Sequence, residues 1–398
     1  MFLVVKSDLV RIRTSISLLE KTMSEKTTPL LIQWFKKQTI LCVAIVAMLI
    51  TCFLVPIDDT YLSYFNLRTL ATLYCTLAVV AAFSHIHVFE ILSKAIVIKL
   101  HTLRNATLGL VLITFVGSML LANDMALLTF LPLGYFVLSG TNNNKAMAFV
   151  FIMQNIAANL GGMVTPFGNP QNLYLYSYFE IDTLEFVKIM FPSFLAATIL
   201  ILLICCFVKP EPLTLAKDSG YTLPKGRTLI YSVLFVFSIL IVFRIVPFLA
   251  GTIAITILLF FLDKKAIAEV NYPLLGTFCA FFVFSGNLSR IPAVSSFFAG
   301  LLPKNTLLFG ILSCQFISNV PSAVLLSHFT GDYASLLPAV NLGGLGTLIA
   351  SLASLITFTE YKKHNPEKTR QYYLLFSVIN FGLLIVLYLL QYYLFSKL

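Results

Sequence analysis

The sequence predicts an all-α polytopic membrane protein with two inverted-topology repeats, each containing a re-entrant helical hairpin and a broken transmembrane helix. Hydrophobic residues make up 59% of the 398 positions and charged residues 11%, whereas soluble domains carry roughly 25% charged residues. A seven-residue phrase occurs twice inside apolar runs, as NLGGMVT at 159–165 and as NLGGLGT at 341–347. Paired interruptions of this kind, one in each half of a chain, are typical of secondary transporters.

The first repeat is predicted at 38–208. A basic segment at 1–37 precedes it and is expected in the cytoplasm; it includes Met23, a second candidate start besides Met1. The apolar run at 108–140 exceeds the roughly 20 residues that one span needs. Asn123 and Asp124 interrupt this run, which favours a re-entrant hairpin over the alternative of one long kinked helix. The other predicted elements are spans at 38–56, 70–89 and 189–208 and a broken span at 146–179, with the first phrase at its centre.

A polar linker at 209–227 is predicted to separate the two halves on the cytoplasmic side of the membrane. The second repeat is predicted at 228–398, and it matches the first in having one hairpin and one broken span. Its elements are spans at 228–247, 249–262, 272–288 and 372–395, a hairpin at 305–331 with Asn319 at its tip, and a broken span at 335–358 around the second phrase.

Lysine and arginine are concentrated in alternate loops, and basic loops remain in the cytoplasm. The basic segments are 89–104, 141–146, 209–227, 263–269 and 360–370, and those that are acidic or poor in bases are 57–67, 180–188 and 331–334. We therefore expect a multi-pass protein of the plasma membrane with a cytoplasmic N-terminus, an external C-terminus and hairpins that enter from opposite sides. Because this pattern accounts for the net charge of +10, nucleic acid is not an expected partner.

The first broken span continues after its phrase as TPFGNPQN at 165–172. Prolines remove backbone donors and glycines permit unusual dihedrals, so we expect unwound backbone there. Unwound carbonyl groups can bind a cation, and the N–H groups that begin the next helix can bind an anion. The alternative is that the glycines only allow close packing and Pro166 only kinks a helix. The residues predicted to contact an anionic substrate are Asn123, Thr165, Gly168, Asn169, Ser318, Asn319, Thr347 and Ser351.

Asp124 is the carboxylate that the predicted topology places deep in the membrane. Such a residue costs about 2.5–3.5 kcal/mol at the centre of a span and is usually functional. We expect it to bind Na⁺ or to carry a proton; the alternative is a helix N-cap for the returning arm of the hairpin. No HExxH, GxSxG or Walker A pattern occurs, so we expect no enzyme, no cofactor and no metal other than Na⁺. The predicted coupling-ion residues are Asp124, Asn123, Gly161, Gly162, Asn319, Gly343 and Gly344.

Four segments resemble those of the citrate-transporter-like permeases of the ion transporter superfamily, which includes the divalent-anion/sodium symporters and the arsenite permeases. The segments are LLANDMALLTFLP, FISNVPSAVLL, ANLGGMVTPFGNPQNL and VNLGGLGTLIASLAS. The resemblance implies an inverted-repeat fold, a homodimer and a moving transport domain that works by an elevator mechanism. Dicarboxylate symporters of this superfamily bear Ser-Asn-Thr at both hairpin tips. This chain has Ala122-Asn123-Asp124 and Ser318-Asn319-Val320, so both asparagines and Ser318 match but neither threonine does.

Together these observations predict a secondary active transporter of a small anion, a carboxylate or an inorganic oxyanion, coupled to Na⁺ or H⁺. Its partners would be that solute and the lipid bilayer. Two alternatives within transport are an arsenite or metalloid efflux permease and a Na⁺/H⁺ antiporter. An alternative of another class is a membrane receptor or scaffold that transports nothing.

Overall fold

The computed structural model describes residues 38–88, 91, 100–141, 143–213 and 224–393. The basic segment predicted at 1–37, both candidate start residues and most of the predicted linker therefore lie outside the described residues. The described part of the chain is helical and contains no strand; one isolated bridge joins Thr102 to Pro212.

The helices occur in the order that the hydropathy pattern predicts, but the helix Pro292–Leu301 was not predicted. In the first half they are Thr39–Leu54, Leu67–His85, Leu103–Leu120, Asn123–Gly140, Met147–Gly161, Pro170–Tyr178 and Thr183–Cys206. In the second half they are Lys225–Val242, Phe248–Leu262, Tyr272–Ser289, Pro292–Leu301, Thr306–Ile317, Asn319–Leu326, Tyr333–Leu342, Leu352–His364 and Thr369–Tyr393. Short helical turns at Thr60–Ser63 and Lys264–Ala268 connect some of them.

Many of these helices begin at a polar residue whose side chain accepts a hydrogen bond from a backbone N–H of the first turn. Such a cap satisfies donors that have no partner within the helix. Because these caps are local in sequence, the start of each helix is encoded where it occurs. The capping residues are Asn66, Thr102, Asp182, Asn271, Asn305, Asp332 and Ser351.

Seven helices of the described residues are long and apolar enough to cross a membrane. The helix Thr183–Cys206 shows why lipid must surround them: Phe191, Leu195, Ile199 and Leu203 lie four residues apart and are each about half exposed. That spacing places all four on one helix face. A face of this kind is stable against hydrocarbon and not against water, so the chain is a multi-pass membrane protein.

Two pairs of helices contain the predicted hairpin tips. The first helix pair is Leu103–Leu120 with Asn123–Gly140, and the second helix pair is Thr306–Ile317 with Asn319–Leu326. In each pair the two arms pack against each other. The run predicted at 108–140 therefore forms two helices that meet at residues 121–122 rather than one long kinked helix. That either pair enters and leaves the bilayer on the same side stays a prediction.

Two further helices are interrupted at the repeated phrase. We call the interruptions, residues 162–169 and 343–351, the first break and the second break. The first interrupted helix consists of Met147–Gly161 and Pro170–Tyr178, and the second consists of Tyr333–Leu342 and Leu352–His364. In both halves the first arm of the helix pair packs against the leading segment of the interrupted helix of its own half. In both halves the second arm packs against the trailing segment of the other half. The two halves thus share one packing scheme; their inverted orientation stays a prediction.

We call the two helix pairs, the two interrupted helices, Thr183–Cys206 and Thr369–Tyr393 the central unit. The helices beside it, which we call the flanking helices, pack against one another. Thr39–Leu54 packs against Tyr272–Ser289, and Leu67–His85 packs against both Lys225–Val242 and Phe248–Leu262. Contacts that join these parts include those of Pro170–Tyr178 with Leu67–His85 and of Asn319–Leu326 with Tyr272–Ser289. The two central-unit helices in these contacts begin after the first interruption, at Pro170, and at the second hairpin tip, at Asn319.

Candidate functional site

The two tip asparagines adopt the same local arrangement. Asn123 and Asn319 are both buried and each begins the second arm of its pair. The Oδ1 atom of each accepts a hydrogen bond from the next backbone N–H, that of Asp124 or Val320, at 2.9 Å. This bond occupies the amide oxygen and directs the amide nitrogen of each tip into the interior.

The tips meet the repeated phrases around Gly344. Asn123 Nδ2 donates to Asn159 Oδ1 at 3.1 Å, which ties the first tip to the first phrase. A Cβ added at Gly344 would lie 3.1 Å from Asn319 Nδ2 and 3.5 Å from Asn159 Oδ1. The structure therefore brings together Asn123, Asn319 and Gly344, which the sequence predicted as site residues, and adds Asn159.

The second tip is also fixed to the second break. Ser318 has a φ of 72°, a value that is uncommon for residues other than glycine and stores backbone strain. The Ser318 hydroxyl and the Asn319 N–H both donate to the Ala350 carbonyl, at 3.3 and 2.9 Å. Since Ala350 directly precedes Ser351, the tip lies beside the predicted substrate-contact residue of the second break.

The chain restarts as a helix in the same way after each break. Asn169 and Ser351 are the N-cap residues, with φ/ψ of −137°/143° and −147°/149°. Pro170 occupies the first helical turn, where its lack of an N–H costs nothing, and it restricts Asn169 to extended backbone. Ser351 caps its helix by accepting from the Ser354 N–H, whereas the Asn169 side chain makes no such bond. The first break therefore leaves helix N–H groups without a side-chain cap.

The glycines of the phrases lie where other backbone comes too close for a side chain. A Cβ at Gly161 would collide with the Phe115 carbonyl oxygen. One at Gly162 would lie 2.5 Å from Asn169 Oδ1 and 2.7 Å from the Gly168 oxygen, and one at Gly343 would lie 2.7 Å from Cys314 Sγ. These distances agree with the alternative that the glycines allow close packing. Their role in cation binding stays a prediction.

The two predicted threonines make a matched contact. Thr165 Oγ1 donates to the Met119 carbonyl at 3.0 Å, and Thr347 Oγ1 donates to the Gln315 carbonyl at 3.1 Å. Met119 and Gln315 each lie four positions before the tip asparagine of their pair. In both halves a hydroxyl thus fixes the break to the first arm, and this contact occupies its donor.

A network of amides joins the two breaks. Asn169 Nδ2 donates to the Asn159 carbonyl and to Asn341 Oδ1, both at 3.1 Å. Gln171 Nε2 donates to the same Asn341 Oδ1 at 3.3 Å, and Asn341 Nδ2 donates to Asn172 Oδ1 at 2.6 Å. Asn341 is the first residue of the second phrase and Asn159 the first of the first, so each half contributes the same position.

One side-chain amide at each break binds the carbonyl groups that the interruption exposes. Asn172 Nδ2 lies 3.3, 3.1 and 3.3 Å from the carbonyl oxygens of Gly162, Met163 and Thr165. At the second break Gln315 Nε2 lies 3.0 Å from those of both Gly343 and Leu345, and 3.2 Å from that of Ile311 in its own helix. Met163 and Leu345 hold the same position in the two phrases, so the two breaks are satisfied in a similar way. The amide comes from the following helix at the first break and from the first arm of the helix pair at the second.

Asp124 lies in the first turn of its helix, one residue after Asn123. It is 3% exposed, and its Oδ1 has no hydrogen-bond partner among the described residues. The N-cap of this helix is Ala122, so the alternative that Asp124 caps the returning arm is wrong. A carboxylate in a first turn is stabilised by the helix dipole. A buried carboxylate oxygen that nevertheless lacks a hydrogen-bond donor is available to a proton or a ligand.

Sequence reasoning missed four residues that build this site, Asn159, Gln171, Gln315 and Asn341, and assigned no role to Asn172. The two breaks themselves contain a usable signal, because amide side chains in an apolar span are rare without partners. Gln315 gave no comparable signal, since it lies in the first arm and reaches the second break only through folding. Among the described residues, no Lys or Arg side chain hydrogen-bonds to the site, and no cluster of His, Cys, Asp or Glu could hold a metal ion.

Comparison with known families gives a match over most of the chain. The family model described as citrate transporter matches residues 30–338, which include both helix pairs and the first break. The chain belongs to the citrate transporter family. An uncharacterized transporter of Methanocaldococcus jannaschii is 33% identical over 251 residues, 63% of this chain and 69% of the relative. The inner membrane protein YbiR of Escherichia coli is 29% identical over 282 residues, 67% of this chain and 73% of the relative. This family member is thus a membrane transporter.

Proposed function

We propose that the protein is a secondary active transporter of a small anion, a carboxylate or an inorganic oxyanion, coupled to the gradient of a cation, Na⁺ or H⁺. The observation that carries this proposal is the convergence of both tip asparagines and both repeated phrases around Gly344. A site made from matched parts of two halves is the arrangement found in many alternating-access transporters.

Donors for an anion are available in this site without a lysine or arginine. Asn319 Nδ2 is buried and has no acceptor among the described residues. The helix Pro170–Tyr178 starts nearby and has no side-chain cap, so the N–H groups of Gln171 and Asn172 and the positive end of the helix dipole favour negative charge. These neutral donors would suit a weakly hydrated or singly charged anion better than one with several charges.

Coupling would act through Asp124. Its unpaired oxygen lies one residue from the Asn123 tip, so the charge state of this carboxyl and the binding of an anion affect each other at short range. We propose that the central unit moves as a body against the flanking helices, in a homodimer of the plasma membrane with a cytoplasmic N-terminus. The second candidate function is a Na⁺/H⁺ antiporter, which the unpaired oxygen of Asp124 also favours.

The test is the thermal unfolding of the purified protein with a panel of small anions, at two pH values and with Na⁺ or choline as the cation. An anion at about 100 times its Kd should stabilise the folded state by about 2.7 kcal/mol. Stabilisation by one anion that depends on pH or Na⁺ supports the proposal. A response to the cation or to pH without any response to an anion favours the antiporter instead.

A further inference from the structure

The breaks are the positions where a transporter can bind a cation through backbone carbonyl groups. In this protein the carbonyl oxygens of Gly162, Met163 and Thr165 already surround Asn172 Nδ2 at 3.1–3.3 Å. Those of Gly343 and Leu345 lie 3.0 Å from Gln315 Nε2. The exposed carbonyl groups of each break thus converge on one nitrogen of the chain itself.

The orientation of both amides is fixed by backbone groups. Gln315 Oε1 accepts from the Thr347 backbone N–H at 2.9 Å, so its nitrogen must face the carbonyl groups. Asn172 Oδ1 accepts from Asn341 Nδ2, and Asn341 Nδ2 also donates to the Leu337 backbone carbonyl at 2.8 Å. A flipped Asn172 would place two amide nitrogens against each other. Neither nitrogen can therefore turn away without leaving donors and acceptors unpaired.

An amide NH₂ group satisfies these carbonyl groups as a cation would, since its two hydrogens carry partial positive charge. A Na⁺ ion at either break would meet those hydrogens at close range, and it could reach the carbonyl oxygens only by displacing the amide. Displacement would leave a buried amide without partners, which is unfavourable. The residues at the breaks therefore do not fit a bound Na⁺.

We infer that Asn172 and Gln315 take the place of Na⁺ at the two breaks, so that neither break binds Na⁺. This inference rests on the proposed function, and it assigns to the two amides a role in excluding one of the two coupling ions from the breaks. It also explains why the irregular backbone at 162–165 and 343–347 needs no ion in order to be satisfied inside the membrane.

The first experiment measures Na⁺ binding directly, on the wild-type protein in detergent or nanodiscs. We expect no saturable binding of radioactive Na⁺ and the same unfolding temperature in sodium chloride as in choline chloride of equal ionic strength. Saturable binding, or stabilisation specific to Na⁺, that persists when Asp124→Asn removes the free carboxylate would overturn the inference. The anion panel in choline chloride tests the proposed function separately: a response to an anion keeps that function whatever Na⁺ does.

The second experiment converts each amide into a carboxylate of nearly the same shape, with Asn172→Asp and Gln315→Glu. Carbonyl groups around a carboxylate require a cation, so these variants should gain a stabilisation by Na⁺ that choline does not give. At about 100 times the new Kd, the ratio of folded to unfolded protein should rise about 100-fold. The matched control is Asn380→Asp, because Asn380 is buried in the last helix and donates to the single carbonyl of Phe376.

A response confined to Asn172→Asp and Gln315→Glu supports the inference. A folded Asn172→Asp protein that is indifferent to Na⁺, or an equal response in Asn380→Asp, contradicts it. Should the charged variants fail to fold, the binding measurement decides alone.

Discussion

At the scale of single residues, some polar side chains of the candidate site are hydrogen-bonded at both ends, whereas others keep a buried atom without a partner in the part of the chain that the structure describes. Asn172 and Gln315 have both ends of their side chains hydrogen-bonded. Asp124 Oδ1 and Asn319 Nδ2, by contrast, are buried without partners among the described residues. Because buried polar atoms without partners are costly, binding of a proton at Asp124 or of a solute at Asn319 would relieve such a penalty.

Replacement of Asp124 with asparagine should separate transport from coupling. Asparagine keeps the shape but cannot take up a proton, so we expect a folded, inserted protein whose anion transport no longer responds to a cation gradient. Flux of the anion into liposomes with and without a pH gradient measures this. The control is Asp182→Asn, since Asp182 is an exposed N-cap and asparagine caps equally well. Coupling that is unchanged in Asp124→Asn would show that the carboxyl has no part in it.

His328 should give the protein a dependence of stability on acid. It lies beyond the end of Asn319–Leu326, beside the Tyr178 hydroxyl, and burial lowers its pKa from the ordinary value of 6.5. The unfolded chain therefore takes up the proton first as the pH falls through about 6.5, and folded stability is lost below that pH. Unfolding temperatures at about pH 7.5 and about pH 5.5 should differ less in His328→Gln than in wild type. An equal difference would contradict this assignment.

At the scale of elements, the interrupted helices combine irregular backbone with close approach. The first phrase passes the first arm so closely that Gly161 faces the Phe115 carbonyl and the Ser118 hydroxyl. Hydrogen bonds from Thr165 and Thr347 then fix each break to its arm. The break is thus an ordered structure with specified contacts, and it brings the following helix N-terminus close to the tips.

A methyl group added at Gly162 should disturb this arrangement. Its Cβ would lie 2.5 Å from Asn169 Oδ1 and 2.7 Å from the Gly168 oxygen, and relief of such overlap costs about 1–3 kcal/mol. We expect Gly162→Ala to lower the free energy of unfolding by that amount and to weaken anion binding. Gly300→Ala is the control, because nothing lies within 4 Å of its added Cβ. Two variants of equal stability would contradict the packing described at the break.

At the scale of the whole molecule, the crossed packing of the halves creates the site. The second arm of each pair packs against the trailing segment of the other half's interrupted helix, so neither half contains a complete site. Arg244 adds a connection between the flanking helices and the central unit, since its guanidinium donates to the carbonyls of Tyr176 and Glu180 at 2.7 and 3.1 Å. If the central unit moves, either these hydrogen bonds break or Arg244 moves together with the central unit.

The orientation predicted from the loops can be tested on the whole chain. With a cytoplasmic N-terminus and an external C-terminus, a C-terminal alkaline phosphatase fusion should be active and a C-terminal green fluorescent protein fusion dark. Fusions at the linker around 209–227 should give the opposite pair of results. A fluorescent C-terminal fusion would contradict the predicted topology and, with it, the opposite entry sides of the two helix pairs.

Much of this protein could be predicted from sequence because hydropathy, capping and helix breaking are local properties. The apolar runs, the N-caps such as Asp182 and Asp332, and the interruption at Asn123 and the two phrases all act within a few residues. The relative position of the helices is not a local property, because it depends on how segments that are distant in sequence pack together. Sequence alone therefore determined the membrane class, the order of the predicted spans and where they break. Only the tertiary structure decided that Gln315 closes the second break and that Asn341 joins both breaks, because these contacts span a large separation in sequence. It also decided that Asp124 Oδ1 has no partner among the described residues, because that depends on what other segments fail to provide.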